Sequence, residues 1–252
     1  MLQALNIKYR YVKGAVVMFV HHVVLDFEMN PVLGENQDVR AALCEEIIEI
    51  GAAKLDASGQ VVDRFSRMIR PQYSSEISAA ITSLTGICTE DVSCAETFDI
   101  VIEKFSQWIG GEKTRIYSWS ENDLLQLERE CGYKGIALPS NMNKWMDLQA
   151  VYPRIMRLSN RRSKVALSVA AGENGIVFDE KKAHRALYDA EKTAELLTLV
   201  LNGEYKKRIE KMRSVMKSEV VPMTSSMDAA CGGKLSSLLQ KLQMQQMTLE
   251  GR

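Results

Sequence analysis

The sequence predicts an α/β protein built on a mixed β-sheet flanked by helices, with a domain over residues 1–203 and a C-terminal helical tail over 204–252. Three observations point there. Three β-rich segments come first, helices and strands alternate after them, and the apolar pattern stops at Leu201, just before Gly203. The chain of 252 residues is 46% apolar and 25% charged, which excludes a mainly disordered or collagen-like protein.

The β-rich segments are roughly Val16–Met29, Glu45–Lys54 and Gln60–Ile69, each with Val, Ile or Phe in strand-like patterns. Asp56-Ala57-Ser58-Gly59 separates the last two as a hairpin turn. Thr97–Ile109 reads as a helix with Phe98, Val101, Ile102, Phe105 and Ile109 on one face. A strand follows at Arg115–Trp119, then a helix at Glu121–Cys131 through Leu124, Leu127 and Cys131. Lys144–Leu148 reads as a short strand and Gln149–Leu158 as a helix. The longest helix is expected over Ala183–Leu201, where Leu187, Ala190, Ala194, Leu197 and Leu201 form an apolar stripe. Beyond Gly203, Tyr205–Lys217 holds six basic residues and one acid, Pro222–Ser226 interrupts, and Lys234–Leu249 has the pattern of an amphipathic helix.

Charge and cysteine usage narrow the function classes. The net charge is zero, but residues 1–200 hold 23 basic and 27 acidic groups, whereas 201–252 hold nine and five. A negative main body argues against phosphate binding by a basic surface alone, though metal ions at an acidic site would reverse the local field. The five cysteines include no C-x-x-C pair, so they suggest neither a disulfide framework nor a zinc site. The longest apolar run, Ala15–Val20, is far short of the roughly 20 residues of a membrane span. Lys8, Arg10 and Lys13 precede it, but His21 and His22 interrupt it and no small-residue cleavage site follows, so a cytoplasmic protein without membrane contact is expected.

Three features carry chemistry. Asp26-Phe27-Glu28 ends an apolar strand, and alternation puts both acids on one face, with Phe27 opposite. Two such carboxylates repel unless a cation lies between them; on this feature alone, a strand entering solvent is the simpler reading. Asp123 opens a helix, where an acid also favours the helix dipole. His184 and Asp189 are five residues apart, about 140° on a helix, so they meet at one site only if His184 stands in or before the first turn. The ragged stretch Gly172–Lys182 allows that.

In order along the chain, Asp26-x-Glu28, Asp123 and His184-x4-Asp189 resemble the three motifs of the DEDDh family, the DnaQ-like 3′–5′ exonucleases. Glu45–Ala52 is similar to that family's second-strand signature, and Ile77-Ser78 with Leu84–Val92 to its turn-and-helix segment. The resemblance runs from about Val20 to Leu201. Met29 stands where the proofreading branch usually has a hydroxyl residue, and Asp26-Phe27-Glu28 looks closer to the branch of ERI-like RNA exonucleases and KapD-like proteins.

The resemblance implies a ribonuclease H-like fold and hydrolysis of phosphodiester bonds at single-stranded 3′ ends of RNA or DNA, releasing nucleoside monophosphates. It implies that Asp26, Glu28, Asp123 and Asp189 hold two Mg²⁺ or Mn²⁺ ions, with His184 as general base. Phe27, Met29 and Leu84 would meet the terminal nucleotide, and Trp119 and Asn122 would line the substrate groove; for Phe27, core packing is an equal alternative. Arg154, Arg157, Arg161, Arg162 and Lys164 offer charge to a phosphate backbone, although a solvated face is the usual meaning of such a run. The tail could extend the nucleic-acid path, pack on a protein partner or a second copy, or be a solvated extension. A competing reading is a nuclease-like subunit that docks a polymerase or ribonucleoprotein through this tail.

Overall fold

The computed structural model describes residues 9–12, 15–32, 37–111, 113–156, 164–207 and 209–210. The chain divides into two units, Met1–Tyr205 and Lys206–Arg252. The helix expected over Lys234–Leu249, the basic run beyond Glu210, and Arg157, Arg161 and Arg162 lie outside the described residues.

Two short strands, β1 (Tyr9–Val12) and β2 (Ala15–Met18), pair antiparallel as their own two-stranded sheet. The main sheet has six strands: β3 (His21–Pro31), β4 (Glu45–Asp56), β5 (Val61–Arg70), β6 (Glu96–Thr97), β7 (Thr114–Ser118) and β8 (Trp145–Asp147), in spatial order β6-β5-β4-β3-β7-β8. Strands β3, β4 and β5 run antiparallel to their neighbours, whereas β7 joins β3 in parallel and β8 joins β7 in parallel. The mixed α/β class expected from the sequence is the one the chain adopts.

The turn between β4 and β5 follows its sequence. Asp56 Oδ1 accepts the Ser58 and Gln60 backbone N–H groups at 2.8 and 3.0 Å, and Gly59 supplies φ +92°. One strand expected over Val16–Met29 is two, because the chain breaks at Phe19-Val20, where the Val20 N–H turns to the Lys113 carbonyl at 2.9 Å.

Helices cover the sheet on both sides. Helix α1 (Gln37–Ala42) links β3 to β4, and α2 (Ala79–Thr85) and α3 (Thr89–Ser93) follow β5. On one face, α4 (Phe98–Ile109) and α5 (Asn122–Lys134) bury Val101, Ile102, Phe105 and Leu127 against Val23, Leu25, Phe27 and Ala52. Helix α6 (Leu148–Ile155) and α7 (Leu167–Glu173) lead to α8 (Ala186–Leu201), whose Ala190, Ala194 and Leu197 are buried as its stripe requires. Helix α8 starts three residues later than expected, because His184 has φ +60° and Arg185 is extended, and neither conformation can propagate a helix. Among the described residues no helix is long and apolar enough to cross a membrane.

Candidate active site

The site lies where β3 outruns β7. Strand β7 pairs with β3 only from His21 to Val24, so the next backbone donors on that side need other partners. The N–H of Phe27 finds one in Asp123: it donates to Oδ1 at 3.1 Å from the first turn of α5. The second motif is thereby attached to the first by a backbone hydrogen bond between Asp26 and Glu28. The Ser120 hydroxyl lies 3.4 Å from the other Asp123 oxygen.

Across the β3–β4 ladder, Asp26 faces Gly51 and Glu28 faces Glu49. A Cβ on Gly51 would fall 2.0 Å from the Leu187 nitrogen, so only glycine lets the start of α8 press on β4 beside Asp26. The ladder slips between Glu28 and Met29, leaving Ile48 as the extra residue; it is buried against Ile77, Ile87 and Val92 rather than in the main core.

His184 precedes α8, as convergence with Asp189 requires, and its backbone N–H donates to Asp189 Oδ2 at 3.1 Å. Glu28, His184 and Asp189 each offer a ligand atom within 4.8 Å of the others. The other Asp189 oxygen, Oδ1, is buried and has no hydrogen-bond partner. A buried carboxylate oxygen without a donor is costly, and a hard cation is the partner that suits it.

Electrostatics point the same way. Burial, then the charges of Asp123, Glu28, Asp189 and Glu49, hold the Asp26 carboxyl well above its ordinary range. Glu28 is pushed up to about 8 by burial and by Asp189, Glu49 and Asp123, against which the Arg185 charge works. Asp123 rises to about 7, burial outweighing the hydrogen bonds from Phe27, its own backbone and Ser120. Asp189 is also raised, chiefly by burial. Four carboxylates this close cannot all ionise without a counter-charge, so the donor set fits divalent ions with hard oxygen preference.

The expected substrate contacts are placed unevenly. The Phe27 side chain is in the core near Trp145, so only its backbone faces the site, and Met29 packs partly against the same core. Trp119 is buried, its indole N–H donating to the Val165 carbonyl at 3.0 Å and its ring edge against Tyr152, which leaves little face for stacking on a base. Asn122 is exposed beside Asp123. Leu84 is 52% exposed on α2, whose cap Ser78 donates its N–H to Asn30 Oδ1 at 2.9 Å and so ties that helix to the end of β3. Arg154 and Lys164 are exposed, and Lys164 lies 3.8 Å from Glu121.

The sequence reading missed two residues. Glu49 is buried, and Arg185 reaches it with the Nε and Nη2 atoms of one guanidinium edge. Each belonged to a quoted motif, but only the fold shows that they meet. Gly51 was the visible hint, since a glycine inside a buried strand marks a close approach.

A mixed sheet with four acids and a histidine gathered beside one of its two central strands suits a site that holds divalent metal ions. The exonuclease family model (RNase T) matches residues 23–197, and the chain belongs to that family, in its DEDDh, ERI-like branch. It is 31% identical to human ERI1 exoribonuclease 2 over 202 residues, covering 71% of this chain and 28% of that protein. Fruit-fly 3′–5′ exonuclease Snipper is 29% identical over 172 residues, 60% of this chain and 59% of that one. Among solved structures, the nuclease domain of 3′hExo bound to rAMP superposes with a TM-score of 0.64 at 23% identity, covering 73% of this chain and 93% of that one. The matched segments span 28–30% of the length of the ERI1 exoribonuclease 2 proteins of zebrafish, human and mouse.

Proposed function

We propose that this chain is a 3′–5′ exonuclease that removes nucleoside monophosphates from single-stranded 3′ ends, with RNA as its preferred substrate over DNA. The observation that supports this most is the gathering of Glu28, His184 and Asp189 within 4.8 Å beside Asp26 and Asp123. Family membership supplies the reaction class, and the RNA preference leans on relatives named as exoribonucleases. The structure that describes 3′-end recognition of a histone mRNA stem-loop concerns another protein at 22% identity, and the substrate proposed for this chain is a single-stranded end.

Asp26, Glu28, Asp123 and Asp189 would hold two Mg²⁺ or Mn²⁺ ions. Such ions, when bound, neutralise the phosphate and stabilise charge on the attacking and leaving oxygens. His184 accepts the proton of the attacking water through an imidazole nitrogen. The Asp189 carboxylate holds the backbone of His184 in place through its N–H, while Asp123 does the same for the backbone at Phe27. Exposed Leu84, and the backbone from Phe27 to Met29, would meet the terminal nucleotide. Cys44, Cys88, Cys94 and Cys131 are free thiols, in keeping with a cytoplasmic setting.

The test is a side-by-side digestion of 5′-labelled RNA and DNA of one sequence, with Mg²⁺ and with EDTA. The expected result is a ladder shortening from the 3′ end, faster on RNA and absent in EDTA. Internal cleavage, or no products with Mg²⁺, would refute the proposal.

A further inference from the structure

We infer that Glu49 and Arg185 form a positioning pair that sets the His184 imidazole for the proposed hydrolysis; the inference rests on that reading of the site. Glu49 sits on β4 directly opposite Glu28, yet its carboxylate is engaged differently from the four converging acids. One oxygen accepts Arg185 Nη2 at 2.9 Å, and the other accepts Arg185 Nε at 3.2 Å and the Ala186 N–H at 3.0 Å. Both oxygens are therefore committed, whereas Asp189 Oδ1 is buried without a partner. Glu49 is an anchor rather than a further ion ligand.

What it anchors is the peptide that presents the histidine. His184 is the one non-glycine residue with positive φ among the described residues, at +60°. Steric repulsion between Cβ and the following carbonyl drives such a residue back toward negative φ unless its neighbours are fixed. Here they are fixed on both sides. The His184 N–H is tied to Asp189, and the next two residues are tied to Glu49 by a two-pronged charged fork and a helix-start N–H. Gly51, two residues along β4, lets the chain come close enough for this. Release of the fork would let His184 relax and turn the imidazole from the attacking water, with the carboxylates left where they are.

The experiment uses the full chain with Mn²⁺ and a 5′-labelled oligoribonucleotide, comparing Glu49→Gln and Arg185→Lys in the wild-type and His184→Ala backgrounds. In the wild-type background Glu49→Gln should lower kcat about 10–100-fold while KM and Mn²⁺ affinity stay within about twofold. Arg185→Lys, which keeps the charge and loses the fork, should fall between. In the His184→Ala background neither substitution should lower the rate further, because the group they position is gone. Imidazole NMR signals of His184 should also shift in Glu49→Gln, a readout independent of turnover. Equal losses in both backgrounds, or a fall in Mn²⁺ affinity, would overturn the pairing. An inactive wild type with shifted imidazole signals would instead remove the function and leave the pair. If Glu49→Gln does not fold, Arg185→Lys answers the same question.

Discussion

Glu28 is the residue whose proton is most informative. Its carboxyl is raised from 4.5 to about 8 in the folded chain, mainly by burial and then by Asp189, Glu49 and Asp123. Between those values the folded form holds a proton that the unfolded form has lost, so without divalent ions stability is highest at the acid end and declines as pH rises toward 8. Melting temperatures of ion-free protein between about pH 5 and pH 8 should therefore fall, and Glu28→Gln should flatten the slope. An unchanged slope in that variant would place the titration elsewhere. Metal must displace the same proton, so Mg²⁺ affinity measured by calorimetry should tighten over this range. His184→Ala should separate from the acids: a base acts on the water, so the rate should drop about 10²–10⁴-fold while metal affinity holds. A collapse of metal affinity would make His184 a ligand.

At the scale of elements, the site depends on how closely α8 approaches the sheet. Gly51→Ala places a Cβ against the Leu187 and Ala186 backbone, which cannot swing aside as a side chain can. The expected cost is about 1–3 kcal/mol or more, read as a lower melting temperature together with loss of turnover, since the displaced segment carries His184 and Asp189. A fully active, equally stable variant would contradict the packing described. The long elements were legible in the sequence because their periodicity is strong. Strands β4, β5 and β7 and helices α4 and α5 fall within a few residues of expectation. The convergence of the motifs was legible through their order, and the need for His184 to precede its helix through the angle alone. Other features had no local signal. The break at Val20 is made by a carbonyl 93 positions away, at Lys113, and the α8 start is delayed by a left-handed residue that no propensity announces. Trp119 reads as an aromatic beside a motif; its burial against Tyr152 and Val165 is a tertiary fact. Glu49 looked like one more acid in an acidic strand until the fold brought Arg185 to it.

For the whole molecule, the charge asymmetry remains the feature with a testable consequence. Residues 201–252 hold nine basic and five acidic groups, against 23 and 27 in residues 1–200. Removing the chain beyond Tyr205 should leave turnover of a short oligonucleotide in place and flatten the salt dependence of binding, as fewer cations meet phosphate. An insoluble or inactive 1–205 chain would show that the tail belongs to the catalytic fold. In the proposed reaction, four carboxylates from three motifs act as one metal-dependent centre at a 3′ end. The measurement that tests it most directly is mononucleotide release from a single-stranded oligoribonucleotide in Mg²⁺ by the wild type and by Asp26→Asn, Glu28→Gln, Asp123→Asn and Asp189→Asn. The wild type should release mononucleotide steadily, and none of the four variants, all remaining folded, should release any above background. Wild-type rates from even one folded variant would contradict the four-carboxylate centre.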